Sequence, residues 1–147
     1  ETSTPWFTGA EPASLHGKVN IADATAAAAG AEWFELFGLR LLPDDVRAEF
    51  KDGYVWHAPA DALAANGFGL HHVAGNAWEW CRDSYTRYDD APARPRDGLR
   101  ADQDGQRMLR GGAFDHAPVH ARASMRRQDD PATRPGNIGL RAARTLR

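Results

Sequence analysis

Hydrophobic and polar positions along this chain rarely hold one period for long, so the elements they predict are short. Residues 22–38, ADATAAAAGAEWFELFG, combine a run of alanine with Trp33, Phe34 and Phe37 at three-to-four spacing, which predicts a helix that Gly30 weakens. Residues 42–53, LPDDVRAEFKDG, predict a second short helix with Asp44 as its cap and Gly53 as its stop. AWEWCRDSY (77–85) alternates large and polar groups as a strand does. RMLRGGAF (107–114) predicts a short strand ending in a glycine pair, and NIGLRAAR (137–144) a closing strand. The remainder is aperiodic: a loop-like start over 1–19, loop and short strand over 52–70, a polar surface excursion over 84–106, and charge and proline without period over 115–136. The pattern predicts an α+β fold, rich in loops, with small irregular sheets. Such loops need buried tryptophans, buried ion pairs or bound calcium to fix them.

Composition adds limits. The 147 residues suffice for one domain with a core, and 42% hydrophobic with 26% charged residues is ordinary for a soluble chain. No apolar run approaches the roughly 18 residues of a membrane helix, and the start lacks the form of a signal peptide. The compartment stays open, with a soluble cytoplasmic protein the reading adopted. A single cysteine excludes a disulfide framework and a cysteine-rich zinc site. The net charge of −2 hides an asymmetry: residues 107–147 hold 9 arginines against 3 acids. Those arginines are spaced among small and apolar residues, without a basic run or an aromatic platform, so nucleic acid is not an expected partner.

Six segments line up in order: PWFTG (5–9), VNIAD (19–23), DGYVWHAPA (52–60), NGFGLHHVAGNAWEWCRDSY (66–85), RMLRGGAF (107–114) and NIGLRAAR (137–144). Together they resemble the formylglycine-generating enzyme family, also called sulfatase-modifying factor domains. The resemblance runs through residues 1–147 as a single domain, but it corresponds only to the C-terminal half or so of the usual family domain. It implies a fragment, or one piece of a protein completed by a separate N-terminal part. It also implies a C-type-lectin-like fold, with irregular backbone where the residue pattern over 22–38 predicts helix.

The resemblance further implies structural calcium, held by the Asn20 side chain, the Ile21 carbonyl, the Asp52 side chain and the Tyr54 carbonyl. Side-chain and backbone oxygens from loops suit a hard cation. A second family calcium site would fall on Gly75, Ala77 and Glu79, with His72 where the family has Asp or Asn. An imidazole nitrogen suits calcium poorly. Within GNAWEWC, Trp78 and Trp80 share one strand face as buried bulk, Glu79 points the other way toward a cation or an arginine, Asn76 takes a left-handed turn, and Cys81 packs as a small hydrophobe.

Active enzymes of this family oxidise a substrate cysteine to an aldehyde with oxygen, through copper(I) on two cysteines after the RGG motif. Copper(I) is soft and prefers thiolates. Here the segment after RGG holds no cysteine, so no copper is expected. His116 and His120, four apart, are weak metal candidates read more simply as loop histidines. Arg110, Arg122, Arg126 and Arg141 resemble framework arginines and are expected to pair with acids such as Asp83 or Glu79. Between them lies the expected ligand face: Asp115, His116, His120, Met125, Arg127, Gln128, Asp129, Asp130, Thr133 and Asn137. Its spacing also resembles the variable region of diversity-generating-retroelement target proteins, which use the same fold as a binding scaffold. Two functions follow: a non-catalytic module binding a protein or peptide through 115–137, or an oxygen-dependent oxidoreductase whose site is completed by an N-terminal portion.

Overall fold

The computed structural model describes residues 3–31, 35–36, 39–40, 48–90, 92–95, 98–100 and 105–142. Its central element is a four-stranded mixed sheet. β1 (Glu35–Leu36) and β2 (Leu39–Arg40) form a separate two-residue antiparallel ladder. β3 (Trp78–Ser84), β4 (Arg107–Arg110), β5 (Arg127–Asp129) and β6 (Ile138–Gly139) make the main sheet in the order β5-β4-β3-β6. β4 is antiparallel to both neighbours, and β6 runs parallel to β3 with Trp78 opposite Ile138. Between Trp80 and Ser84 the β3–β4 register shifts, an irregularity that bends the strand.

The central strand arises from the expected alternation. Trp78 is fully buried with Leu109 and Ala113, and Trp80, Met125 and Ile138 pack onto that cluster, so both tryptophans serve one face. A second cluster gathers Trp6, Leu15, Val19, Ile21, Ala48, Ala74 and Ala121, with Phe7 and Phe50 against it. A fully buried aliphatic side chain such as Leu15 or Leu109 contributes about 1.5–3 kcal/mol.

The helix expected over 22–38 is corrected to α1 (Ala24–Ala28), one and a half turns long. Asp23 caps it, accepting from Thr25 N at 2.7 Å and Ala26 N at 3.1 Å. Gly30, at φ +71°, closes it: Gly30 N donates to Ala27 O and Ala31 N to Ala26 O, a Schellman pair that alanine propensity cannot override. Trp33, Phe34 and Phe37 lie outside the described residues. So does most of the second expected helix, including Asp44; its described remainder, 48–53, is bends and a bridge from Ala48 to Asp23. The short strand expected within 52–70 is absent among the described residues, where backbone turns are tied by side chains instead. β5 was hidden in the aperiodic 115–136 stretch, which also forms a 3-10 turn at Pro118–Ala121.

Candidate functional site

Two polar regions stand out, one buried inside the fold and one on the face of the sheet. The first is a knot of loops. Asn20, fully buried, donates from Nδ2 to Trp56 O at 2.8 Å and to Asn76 Oδ1 at 2.9 Å. Asn76 Oδ1 also accepts from Ala58 N at 2.8 Å, and its Nδ2 donates to Ala58 O at 3.2 Å. Asn76 N donates to Asn20 O at 2.7 Å, and Phe114 N to Asn76 O at 3.2 Å. The expected left-handed turn is present, with Gly75 at φ +75° and Asn76 at +64°. A β-carbon at Gly75 would overlap the Asn20 carbonyl oxygen. Asn76 therefore pins three loops, those around 20 and 58 through its side-chain amide and that around 114 through its backbone carbonyl.

Asp52 extends this knot. It accepts from Ile21 N at 3.1 Å and Tyr54 N at 2.8 Å, and Asp52 N donates to Asp23 Oδ2. Burial, with the neighbouring Asp23 charge adding to it, pushes the Asp52 carboxyl up to about 7 against the lowering by its backbone donors. Calcium at Asn20, Ile21, Asp52 and Tyr54 fits these residues in chemistry. Asn20 Oδ1 is buried with no hydrogen-bond partner, and two carboxyls are held close enough to repel. Asp23 was not among the expected ligands; its only signal in the sequence is its place as a cap before an alanine run.

The second expected calcium set does not fit. Glu79 is gripped by Arg141, whose Nη2 donates to Oε1 at 2.7 Å and Nε to Oε1 and Oε2 at 2.9 and 3.0 Å. Arg141 Nη2 also donates to His71 O at 2.8 Å, so a guanidinium already supplies the positive charge on the face where Glu79, Ala77 and His72 line one pocket. His72 is buried in the left-handed region at φ +53°, with Nε2 2.9 Å from Pro59 O and Nδ1 without a partner. Burial lowers its pKa from the ordinary histidine range, which keeps it neutral. Of the four arginines expected to meet acids, Arg141 does so. Arg110 donates to Ala123 O and Met125 O, Arg122 to Val119 O, and Arg126 to Thr86 O while stacking on Tyr85 and Tyr88. Asp83 accepts from the Arg100 backbone N–H.

The second region is the 115–137 face. Asp115 Oδ1 lies 2.7 Å from His116 Nδ1, and Asp115 Oδ2 accepts from Asn137 Nδ2 at 2.9 Å. Burial pushes the Asp115 carboxyl up, but the His116 hydrogen bond and charge and the Asn137 amide together bring it below its ordinary value. His116 and His120 rings meet edge to face at 5.1 Å, and both pack edgewise on Trp78, at 5.4 and 6.3 Å. A β-carbon at Gly112 would come within 3.1 Å of the His120 carbonyl, so the glycine pair after β4 lets the 118–121 turn press onto the sheet. Arg127 lies over the Trp78 ring at 5.7 Å and donates to Asp129 Oδ2 at 3.2 Å.

Thus Asp115, His116, His120, Met125, Arg127 and Asn137 converge around Trp78. Asp129, the half-buried last residue of β5, links that group to an exposed turn at Asp130 and Thr133: its Oδ2 accepts from Arg127, its Oδ1 from Asp130 N and Thr133 Oγ1, and Asp130 Oδ1 accepts from Ala132 N. Gln128 sits on β5 opposite Met108, exposed and apart from both groups. His120 is 5% exposed, with Nδ1 buried and unpartnered like Nε1 of Trp78. Burial, then the His116 and arginine charges, lowers His120 to about 4. Among the described residues no three His, Cys, Asp or Glu side chains group to hold a metal ion. Trp78's role as the floor of this cluster was missed, because a buried tryptophan reads in sequence as plain bulk.

The family model described as the sulfatase-modifying factor enzyme 1-like domain matches residues 6–146. The chain belongs to the sulfatase-modifying factor family. Within that family it is 40% identical over 67 residues to the formylglycine-generating enzyme of Thermomonospora curvata, covering 44% of this chain and 22% of that one. It is 33% identical over 101 residues to the formylglycine-generating enzyme of Bos taurus, covering 63% of this chain and 25% of that one. It is also 30% identical over 91 residues to the serine/threonine-protein kinase Pkn1 of Chlamydia trachomatis, covering 60% of this chain and 15% of the kinase. The structure of PvdO from Pseudomonas aeruginosa superimposes with a TM-score of 0.54 at 28% identity, covering 60% of this chain and 34% of PvdO. This sulfatase-modifying factor chain therefore spans about a third or less of these relatives. No helix among its described residues is long and apolar enough to cross a membrane.

Proposed function

We propose that this chain is a binding module on a sulfatase-modifying factor scaffold, presenting residues 115–137 to a protein or peptide. The observation that carries the reading is the donor set after the RGG motif. That segment offers Asp115, His116 and His120 and no thiol; the chain's one cysteine, Cys81, lies on β3, half-buried, with its pKa raised by burial. A copper(I) site of the family's kind needs two thiolates, and these residues do not fit it. The face instead joins an aromatic floor, a paired guanidinium and several hydrogen-bonding side chains on the edge strand and turns of the sheet, a composition suited to recognition. The likeness to a short part of the Pkn1 kinase agrees with use of this fold as an accessory domain. Calcium at Asn20, Ile21, Asp52 and Tyr54 would serve this reading as a brace for the loops.

A second reading keeps an oxygen-dependent oxidoreductase, its site completed by an N-terminal portion. The 5.1 Å approach of His116 and His120, with Asp115 orienting one ring, favours it. Metal analysis together with oxygen uptake on a thiol peptide separates the two. The binding reading expects no stoichiometric copper or iron and no aldehyde product. Turnover that disappears in His116→Ala would overturn it.

A further inference from the structure

We propose that a second site, a cavity of about 860 Å³ beside β3, binds a small ligand carrying a phosphate or sulfate ester on a flat apolar body. Its described lining brings Arg82 and Arg107 from the sheet together with Arg94 and Arg134 from the flanking loops, and includes no carboxylate. Three of these guanidiniums have only neutral partners or none. Arg107 Nη1 donates to Arg82 O at 3.3 Å and Ser84 Oγ at 3.2 Å, Arg134 Nη1 to Pro131 O at 2.8 Å and Thr133 O at 2.9 Å, and Arg82 has no side-chain partner among the described residues. Elsewhere Arg141 and Arg127 meet carboxylates, and Arg110, Arg122 and Arg126 meet carbonyl oxygens; what sets this cavity apart is that Arg82, Arg107 and Arg134 line it together. Like charges gathered around one cavity repel unless an anion sits among them, and the guanidinium fork matches the oxygens of a phosphate or sulfate.

The rest of the lining sets the rest of the ligand. Trp80, Leu99, Pro131, Pro135 and Ile138 give it an apolar surface, with Trp80 and Ile138 also packing against the Trp78 cluster. The volume is in the ordinary range for a small-molecule site, about 300–1,000 Å³. An inorganic ion would use the arginines and leave this wall bare; an aryl or similar ester uses both. The site shares the 131–135 turn with the proposed 115–137 face but none of Asp115, His116 and His120, so loss of ester binding leaves the protein-binding and oxidoreductase readings to their own tests.

Titration calorimetry with phenyl phosphate, phenyl sulfate and inorganic phosphate tests it, at low and high salt. Both esters are expected to bind more tightly than inorganic phosphate and to weaken as salt rises. Affinity should fall about tenfold in Arg82→Gln and in Arg107→Gln, with Arg107→Lys keeping part of it. Cys81 lines the same cavity and is the chain's only thiol, so its alkylation by iodoacetamide reports occupancy independently and should slow when phenyl phosphate is present. Arg134→Gln, on an exposed turn, replaces either variant should it melt early. Equal ester affinity in the arginine variants, unchanged Cys81 alkylation at saturating ester, or no ester binding would each overturn the proposal. Inorganic phosphate binding as tightly as the esters would overturn its apolar half.

Discussion

The knot around Asn76 and the face around Trp78 are built from the same kinds of side chain and use them differently. In the knot, Asn76 spends every hydrogen-bonding group of its amide on Asn20 and Ala58, and the backbone around it is shaped to let this happen. On the face, His120 and Trp78 each bury a polar nitrogen with no partner, and Asp115 is fixed while His116 keeps its other ring nitrogen uncommitted by any hydrogen bond. Buried polar groups are costly when unpaired, so the pairing of Asn76 is what stability selects and the unpaired nitrogens of the face are what it disfavours; in the knot Asn20 Oδ1 carries that same cost. The difference teaches where this fold satisfies a buried amide completely and where it tolerates buried nitrogens left unpaired.

The largest effect should follow from breaking the frame. Asn76→Ala removes two acceptor bonds and a donor bond while placing a β-branchless but non-glycine residue at φ +64°, and is expected to cost about 3 kcal/mol or more by denaturant titration. Gly75→Ala should be as severe, since its methyl group has nowhere to go but into the Asn20 carbonyl. Loss of less than 1 kcal/mol in both, by the same titration, would mean that the loops are fixed by something other than this knot.

On the face, the corresponding cost is expressed through pH. His120 takes up a proton near 6.5 when unfolded and at about 4 when folded. Between those values the unfolded chain binds the extra proton, so the contribution is complete above 6.5 and is lost as pH falls toward 4. It amounts to at most about 3 kcal/mol. His120→Gln should flatten the pH dependence of stability across that window, read by thermal melts from pH 7 to pH 4. An unchanged slope would show that the ring takes up its proton alike in the folded and unfolded chain.

Calcium sharpens the contrast from the other side. If the knot holds it at Asn20, Ile21, Asp52 and Tyr54, saturating calcium at about one hundred times its Kd should add roughly 2.7 kcal/mol, and a chelator should remove it. Asp52→Asn should abolish the response. Glu79→Gln should not, because Arg141 already occupies that carboxylate.

How far the sequence revealed these two regions follows from what each depends on. The AWEWCRDSY alternation made β3 legible, and the glycine pair marked the end of β4, because strand period and turn chemistry are local. The family motifs joined Asn20 and Asp52 as expected calcium ligands and gave Asn76 only its left-handed turn; the hydrogen bonds joining Asn76 to Ala58 and Asn20 are long-range and leave no period. Helix propensity misled over 22–38, where a cap at Asp23 and a left-handed Gly30 confine the helix to α1. β5 was invisible because its half-buried, exposed, half-buried alternation falls on only three residues, Arg127–Asp129, all of them polar. The face was found as a list of residues; that six of them converge on Trp78, with Asp129 tied to them through Arg127 while Gln128, Asp130 and Thr133 stand outside, required the strand order.

The smallest expected effect comes from those outer positions, and it is the one that most directly tests their role. Gln128 is exposed on the edge strand, and Asp130, Thr133 and Arg134 form an exposed turn whose bonds are nearly all local. Exposed side chains with local partners contribute little to folding, so Gln128→Ala and Thr133→Ala should each shift stability by no more than about 0.5 kcal/mol. Randomising Gln128, Asp130, Thr133 and Arg134 together should then yield mostly folded variants, counted by resistance to proteolysis. The same treatment of Asn20, Asp23, Asp52 and Asn76 should yield almost none. A surface that can vary without unfolding its support is what a recognition face requires; a face as intolerant as the knot would instead be structural, and the binding reading would lose the region on which it depends.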